Sequence, residues 1–159
     1  MIDKRTYLWE LIEAGGIYHL LKGSTVQEVL KELVHNIHKQ KTIEGETLLK
    51  AILEREALMS TSIGQGIAIP HPRNPIIAKD EDQFCALAFL EQGVDWNALD
   101  GNKVNTLMLL VSSSAKSHLK TLSEITFFSR QDDFIKLLEQ RASRETIIRY
   151  IKDTEQMWK

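Results

Sequence analysis

Apolar residues recur at helical spacing in the first third of the chain. Ser24 and Thr25 are each followed three residues later by Gln or Glu, as in a capping box, and an apolar stripe comes next. This pattern predicts an amphipathic helix over residues 24–39, and a second stripe predicts a helix over roughly 45–58. The opening segment, with Tyr7, Trp9 and Tyr18, is also expected to be helical.

Beyond residue 60 the pattern is no longer helical. Residues 60–66 are mostly turn formers, and residues 67–69, 84–90 and 107–111 are unbroken apolar runs. Runs that do not alternate with polar residues predict strands buried on both faces of a sheet.

The last third of the chain returns to helical spacing. Ser117 is a candidate cap for a helix that carries Leu119, a second helix is expected around Phe134, and Ser143 can open a third. Helices before, between and after the strands predict an α/β domain in which a central sheet is covered by helices on both faces.

Composition and charge narrow the class of protein. The chain has 159 residues, 43% apolar and 26% charged, without repeats or a Pro/Gly/Ser-rich linker, so residues 1–159 are predicted to be one domain. Twenty basic and 22 acidic side chains, with no block of like charge, make nucleic acid a poor candidate partner. The single cysteine, Cys85, cannot form an internal disulfide, which fits a cytoplasmic protein.

Neither membrane insertion nor export is expected. The longest uninterrupted apolar run, Phe84–Leu90, has seven residues, whereas a membrane-spanning helix needs about 20. At the start of the chain, Glu10 and Glu13 interrupt what would be the apolar region of a signal peptide.

One histidine stands in an unusual backbone context. Pro70 and Pro72 flank His71 just past a predicted strand. Proline fixes its own φ and pushes the preceding residue toward extended geometry, so His71 is held on a stiff segment, where binding and catalytic groups are often found. A rigid turn with an incidental surface histidine is the alternative, and the spacing alone leaves both open.

Nucleotide and metal sites find less support. Gly64-Gln65-Gly66 precedes a strand and lacks the third glycine of a dinucleotide-binding fingerprint. His35 and His38 have helical metal-ligand spacing, but no further ligands follow at recognisable offsets, so no metal site is predicted and a metal-dependent hydrolase is a distant alternative.

Residues 53–71 combine four short motifs at fixed offsets: Arg55-Glu56, Ser60-Thr61, Gly64-x-Gly66 and Pro70-His71. The segment resembles the signature of the fructose/mannitol and nitrogen-regulatory enzyme IIA domains of the bacterial phosphoenolpyruvate-dependent phosphotransferase system. The resemblance continues downstream through Gly93-Val94-Asp95-Trp96 and His118-Leu119. It implies a mixed central β-sheet flanked by helices and a phosphoryl group carried on His71, without a cofactor.

The resemblance also implies the supporting groups. Arg55 and His118 match the residues that stabilise the phosphoryl group, and a backbone carbonyl is expected to fix the tautomer of His71. Taken alone, Arg55 could equally be a solvated helix charge and His118 an exposed residue at a helix N-terminus. The hydroxyls of Ser60 and Thr61, in a turn rich in N–H donors, are expected to help bind phosphate.

The expected partners are an HPr-like phosphocarrier and either a IIB domain or regulatory target proteins. Because the chain holds a IIA domain alone, the nitrogen-regulatory type is favoured. A sugar-specific subunit that passes phosphate to a IIB domain is one alternative. A non-catalytic docking module is the other.

Overall fold

The computed structural model describes residues 7–38 and 43–158. The described residues form six helices and five strands in the order α1 (Leu8–Gly15), β1 (Ile17–Leu21), α2 (Val26–His38), α3 (Gly45–Leu58), β2 (Ser62–Gly64), β3 (Ile67–Ala68), β4 (Phe84–Val94), β5 (Val104–Val111), α4 (Ala115–Ser129), α5 (Asp132–Glu139) and α6 (Arg144–Gln156). A short 3₁₀ turn, Asp80–Asp82, precedes β4. In the described part of the chain, no helix has the length and apolar character needed to cross a membrane.

The strands form one mixed sheet in the order β1-β4-β5-β3-β2. β1 is parallel to β4 and β3 is parallel to β5, whereas β4 pairs with β5 and β2 pairs with β3 in antiparallel fashion. This confirms the mixed sheet implied by the resemblance. Because β3 and β5 run parallel, their carboxyl ends meet at the same edge of the sheet.

Two apolar layers cover the sheet, as the unbroken runs predict. On β4, Ala86, Ala88 and Leu90 pack with α2 and α3 on one face. Cys85, Leu87 and Phe89 pack on the other face, with α1, α4, α5 and α6. The strand is therefore buried on both sides because each of its faces has its own set of helices.

The opening of the chain differs from the expected helix. α1 ends at Gly15, and Tyr18 lies in β1, an edge strand parallel to β4. Gly16 has a φ of +91°, which ends the helix, and a Cβ on Gly15 would lie 2.1 Å from the carbonyl oxygen of Cys85. Glycine thus permits both the change of direction and the close approach of α1 to the sheet.

Short strands also differ from their expected bounds. Residues 62–64 of the predicted turn form β2, and Gly64, Gln65 and Gly66, all with positive φ, make the hairpin to β3. The helix expected over 24–39 is α2, and its expected last residue lies outside the described residues. The helix expected over 45–58 has the bounds of α3.

The predicted cap of α4 is wrong. Ser114 is the cap, and the Ser117 N–H donates to its Oγ at 3.1 Å. Ser114 has the extended backbone of a cap residue, which Ser117, inside the first helical turn, does not. Leu119, in the first turns of this helix, lies at the surface and is 66% exposed. By contrast, Ser143 caps α6 as predicted.

Candidate active site

His71 follows β3 at the edge where β3 and β5 end. Before it, the Ile69 N–H donates to the Thr61 carbonyl at 3.0 Å, and the Pro70 carbonyl accepts the Leu110 N–H at 3.0 Å. The segment is therefore tied to the chain on both sides as well as stiffened by its prolines. This supports the interpretation of His71 as a presented side chain.

The tautomer of His71 follows from one hydrogen bond. Its Nδ1 lies 2.7 Å from the carbonyl oxygen of Ile69. A carbonyl can only accept, so Nδ1 carries the hydrogen, and in the neutral ring Nε2 keeps a free lone pair. The expected backbone carbonyl is thus confirmed, and the nitrogen available as a nucleophile is Nε2.

His118 lies beside His71. The two ring centroids are 4.5 Å apart and the rings are tilted by 46°. β5 leads through Ser112–Ser114 directly into α4, so the first turn of α4 starts near the end of β3. The sequence-predicted pair is therefore brought together by the parallel pairing of β3 with β5.

Arg55 approaches the two histidines from the last turn of α3. Its Nη1 donates to the Met59 carbonyl at 2.7 Å. Its positive charge lowers the pKa of both His71 and His118, so it acts electrostatically on both rings. The structure thus gathers Arg55, His71 and His118 from three separate elements.

Both imidazoles are held neutral. Burial, and then the Arg55 charge, lowers the pKa of His71 below its ordinary value, while the Ile69 carbonyl and Glu56 act in the opposite direction. Burial first, then His71 and Arg55, lowers the pKa of His118 to about 4. An anion bound between them would favour the protonated forms and raise both pKa values.

The hydroxyls of Ser60 and Thr61 are engaged within the protein. Ser60 Oγ donates to the Trp96 carbonyl at 2.6 Å and accepts the Ser62 N–H. Thr61 is buried, and its Oγ1 donates to the Glu56 carboxylate at 2.6 Å. Their contribution to phosphate binding stays a prediction. Glu56 lies next to the site and belongs to the sequence motif, but the sequence alone assigns it no role.

The remaining described acids and histidines do not gather into a metal site. Among residues 7–38 and 43–158, no group of three or more His, Cys, Asp or Glu side chains could hold a metal ion. His35 is exposed on α2, and the side chain of His38 lies outside the described residues. Asp80, in the acidic 3₁₀ turn, accepts a hydrogen bond from Ser113.

The mixed sheet therefore presents a neutral histidine of fixed tautomer beside a second histidine. Residues 10–154 match the family described as "Phosphoenolpyruvate-dependent sugar phosphotransferase system, EIIA 2". The chain belongs to this family, and it is an enzyme IIA domain involved in phosphoryl transfer.

Two curated relatives represent the two branches of the family. The nitrogen regulatory protein of Bradyrhizobium diazoefficiens is 31% identical over 138 residues, covering 86% of this chain and 87% of the relative. The fructose-specific EIIABC component of Bacillus subtilis is 28% identical over 144 residues, covering 87% of this chain but 22% of the relative.

Solved structures share the fold. The nitrogen regulatory protein IIA-Ntr from Neisseria meningitidis has a TM-score of 0.74 at 24% identity, covering 87% of this chain and 93% of that one. Enzyme IIA for mannitol from Escherichia coli, solved in complex with phosphorylated enzyme IIB, has a TM-score of 0.69 at 18% identity, covering 88% and 96%. At these identities the likeness shows the fold alone.

Proposed function

We propose that Nε2 of His71 accepts a phosphoryl group from the phosphohistidine of an HPr-like carrier protein. The observation that carries this proposal is the 2.7 Å contact between Nδ1 of His71 and the Ile69 carbonyl, because it leaves the lone pair of Nε2 free to attack. In the transfer, the bond from phosphorus to the donor imidazole breaks and a bond to Nε2 forms. The donor nitrogen regains its lone pair, and Nδ1–H of His71 stays on the Ile69 carbonyl throughout.

Arg55 and His118 are proposed to stabilise the phosphoryl oxygens. Phosphoryl transfer passes through a loose transition state with charge on three equatorial oxygens, so positioned donors supply most of the catalysis. Arg55 uses Nη1 to bind Met59, which leaves further guanidinium N–H groups for the anion. His118 enters the reaction neutral and offers a ring N–H.

Exposed apolar residues next to these groups support docking of another protein. Leu58, the last residue of α3, and Met59, its C-cap, are 63% and 71% exposed. Leu119, which follows His118, is 66% exposed. Exposed apolar groups close to a reactive centre are typical of protein interaction sites. A phosphohistidine on a protein carrier is therefore a more suitable donor here than a free nucleotide.

The downstream partner is proposed to be a regulatory target, as in a nitrogen-type IIA protein, with the reaction taking place in the cytoplasm. The nitrogen regulatory relative that matches over 87% of its own length favours this branch. Phosphorylation would add about −1.5 to −2 charges beside Leu119 and Met59, enough to change which partner the surface accepts. Transfer to a IIB domain is the second candidate, favoured by the fructose-specific relative.

The test of the transfer is phosphorylation by purified components. Incubation with phosphoenolpyruvate, enzyme I and an HPr-like carrier should add the mass of one phosphate in an acid-labile bond. His71→Ala should abolish the addition, whereas His35→Ala, at an exposed position of α2, should leave it unchanged. Full labelling of His71→Ala would overturn the assignment. Retained binding of a target protein without any phosphorylation would favour the docking module.

The branch is tested by the fate of the phosphate. The phosphorylated protein is incubated with fructose-type and mannitol-type IIB domains, and loss of the label is followed over time. Slow or absent transfer to every IIB domain, with target binding that changes on phosphorylation, supports the regulatory branch. Rapid transfer to one IIB domain would make this a component of sugar uptake.

A further inference from the structure

Glu56 has no role in the transfer as described, yet it lies next to the site. Its carboxylate accepts two hydrogen bonds from one residue: the Thr61 N–H at 2.7 Å and the Thr61 Oγ1–H at 2.6 Å. Thr61 is buried, with 6% exposed. Two short bonds to a charged acceptor hold Thr61 firmly against the end of α3.

From Thr61 the hydrogen bonding continues to the histidine ring. The Thr61 carbonyl accepts the Ile69 N–H at 3.0 Å, and the Ile69 carbonyl accepts Nδ1–H of His71 at 2.7 Å. Ile69 is also buried, with 2% exposed. A carboxylate on α3 is therefore linked to the imidazole through two buried residues on the two arms of the β2–β3 hairpin.

Arg55 and Glu56, adjacent on α3, shift the pKa of His71 in opposite directions. The Arg55 charge lowers the pKa of His71, and the Glu56 charge raises it. A nucleophilic nitrogen must be basic as well as neutral. Glu56 therefore limits the loss of basicity that the Arg55 charge causes at His71.

We propose that Glu56 is a positioning residue of the transfer reaction, which fixes Thr61 and thereby the Ile69 carbonyl that holds His71 in its Nδ1–H tautomer. This inference rests on the proposed function of His71. It also gives Thr61 a role: its hydroxyl hydrogen serves Glu56, and it would have to leave that carboxylate in order to donate to a phosphoryl oxygen.

The test combines imidazole NMR with transfer kinetics. In ¹⁵N-labelled protein, the ring nitrogens of His71 should show the Nδ1–H tautomer. Glu56→Gln keeps one acceptor oxygen but loses the charge, so the pKa of His71 should fall and a second tautomer should become populated. The transfer rate should fall by about 10-fold to 10²-fold, because small misplacements of a reacting group have effects of that size. Glu54→Gln, on an exposed part of α3, is the matched control.

A second pair of variants keeps the charge of Glu56 and does not depend on the stability of Glu56→Gln. Thr61→Val removes the hydroxyl donor and should mix the tautomers of His71, whereas Thr61→Ser restores the donor and should restore the wild-type spectrum and rate. An unchanged tautomer in both Glu56→Gln and Thr61→Val would overturn the proposal. Slower transfer in Thr61→Val with an unchanged tautomer would do so too, and would make Thr61 a direct phosphate ligand.

The two proposals fail separately. If the protein is not phosphorylated by any carrier, the function proposed for His71 is wrong, but the tautomer and pKa of His71 in the same variants still test the positioning by Glu56. If His71 is phosphorylated and neither spectrum nor rate responds to Glu56→Gln or Thr61→Val, only the positioning role is wrong.

Discussion

Two pairs of like titratable side chains lie in different regions of this molecule. His71 and His118 lie where β3 and β5 end. The other pair is Glu155 on α6 with Glu124 on α4: Glu155 is 1% exposed, and its carboxylate accepts the N–H groups of Leu8 and Trp9 at 2.9 and 3.0 Å. Glu124 pairs with Lys120 at 3.6 Å, and its proximity is one of the causes that raise the pKa of Glu155.

Burial is the largest cause of the pKa shifts in both regions, and in each it favours the neutral form. It lowers the pKa of His71 and His118, and it raises the pKa of Glu155 to about 7 against the opposing N–H groups of Leu8 and Trp9. In the first pair the neutral form is the one that the proposed transfer requires of His71. In the second pair Glu155 accepts the N–H groups of Leu8 and Trp9 and so holds α1 on α6. One physical cause therefore serves reactivity in one region and structure in the other.

The largest expected effect is on transfer through the histidine site. Arg55→Ala or His118→Ala should lower the rate of phosphorylation by about 10²–10³, because each removes one donor to the developing charge. The thermal midpoint should change little in either variant, since neither residue belongs to the apolar core. Lys50→Ala, exposed on α3, is the control. Wild-type kinetics in both variants would show that the roles belong to other residues.

Next in size is the loss of stability at the α1–α6 junction. Glu155→Ala leaves two N–H groups of α1 without their acceptor, which should lower the free energy of unfolding by about 2 kcal/mol, roughly thirtyfold in the equilibrium constant. Chemical denaturation measures this, and Asp153→Ala, exposed on α6, should change it by less than about 0.5 kcal/mol. Slower phosphorylation in folded Glu155→Ala would contradict the separation of the two regions.

The pH dependence of stability should differ in sign between the regions. The pKa of Glu155 rises from 4.5 to about 7 on folding, so the stability it contributes is full below about pH 4.5 and is lost as the pH rises toward 7. The difference in unfolding free energy between the wild type and Glu155→Gln should therefore shrink over this range, by at most about 1.4 kcal/mol per pH unit.

The histidines supply the internal comparison for that experiment. The pKa of His118 falls from 6.5 to about 4 on folding, so its contribution is present above pH 6.5 and is lost as the pH falls. The unfolding free energy of His118→Gln should therefore fall less at acid pH than that of the wild type. Glu155→Gln keeps His118 and should still show that fall. If the difference in unfolding free energy between wild type and variant changed with pH in the same direction for both variants, the opposite signs expected for the two regions would be refuted.

The smallest expected effect is on the pH dependence of transfer. Because the pKa of His71 lies below its ordinary value of 6.5, more than half of the rings are neutral at pH 6.5. The phosphorylation rate should thus vary by less than about twofold between pH 6.5 and 8, measured with the carrier in excess. A steeper rise would mean that a group other than His71 must lose a proton.

Long periodic segments were predicted well, whereas the two edge strands were not. α3, β4 and α6 follow from apolar spacing, because each buries a continuous face. β1 and β2 are edge strands of five and three residues, too short for a pattern, and both adjoin glycines whose backbone decides the turn. The sequence favoured Ser117 as the cap of α4, and the extended backbone of Ser114 shows that the helix is capped three residues earlier.

In the candidate site, the motif identified three side chains but not the hydrogen bonds around them. Arg55, His71 and His118 were named from the sequence, and the structure gathers them. The bonds from Glu56 to Thr61 depend on how the chain leaves α3, and those from Glu155 to α1 join opposite ends of the chain. Spacing in sequence carries no information on either contact.

The hydrogen bond from the Leu8 N–H to the Glu155 carboxylate joins residues 147 positions apart, which affects the order in which the elements can fold during synthesis. On a ribosome α1 emerges before α6, so the N–H groups at the start of α1 cannot bind the Glu155 carboxylate until α6 has emerged. Closing so long a loop is entropically unfavourable, and contacts between distant residues slow folding. We expect α1 to be among the last elements to dock, although it precedes the other described elements along the chain.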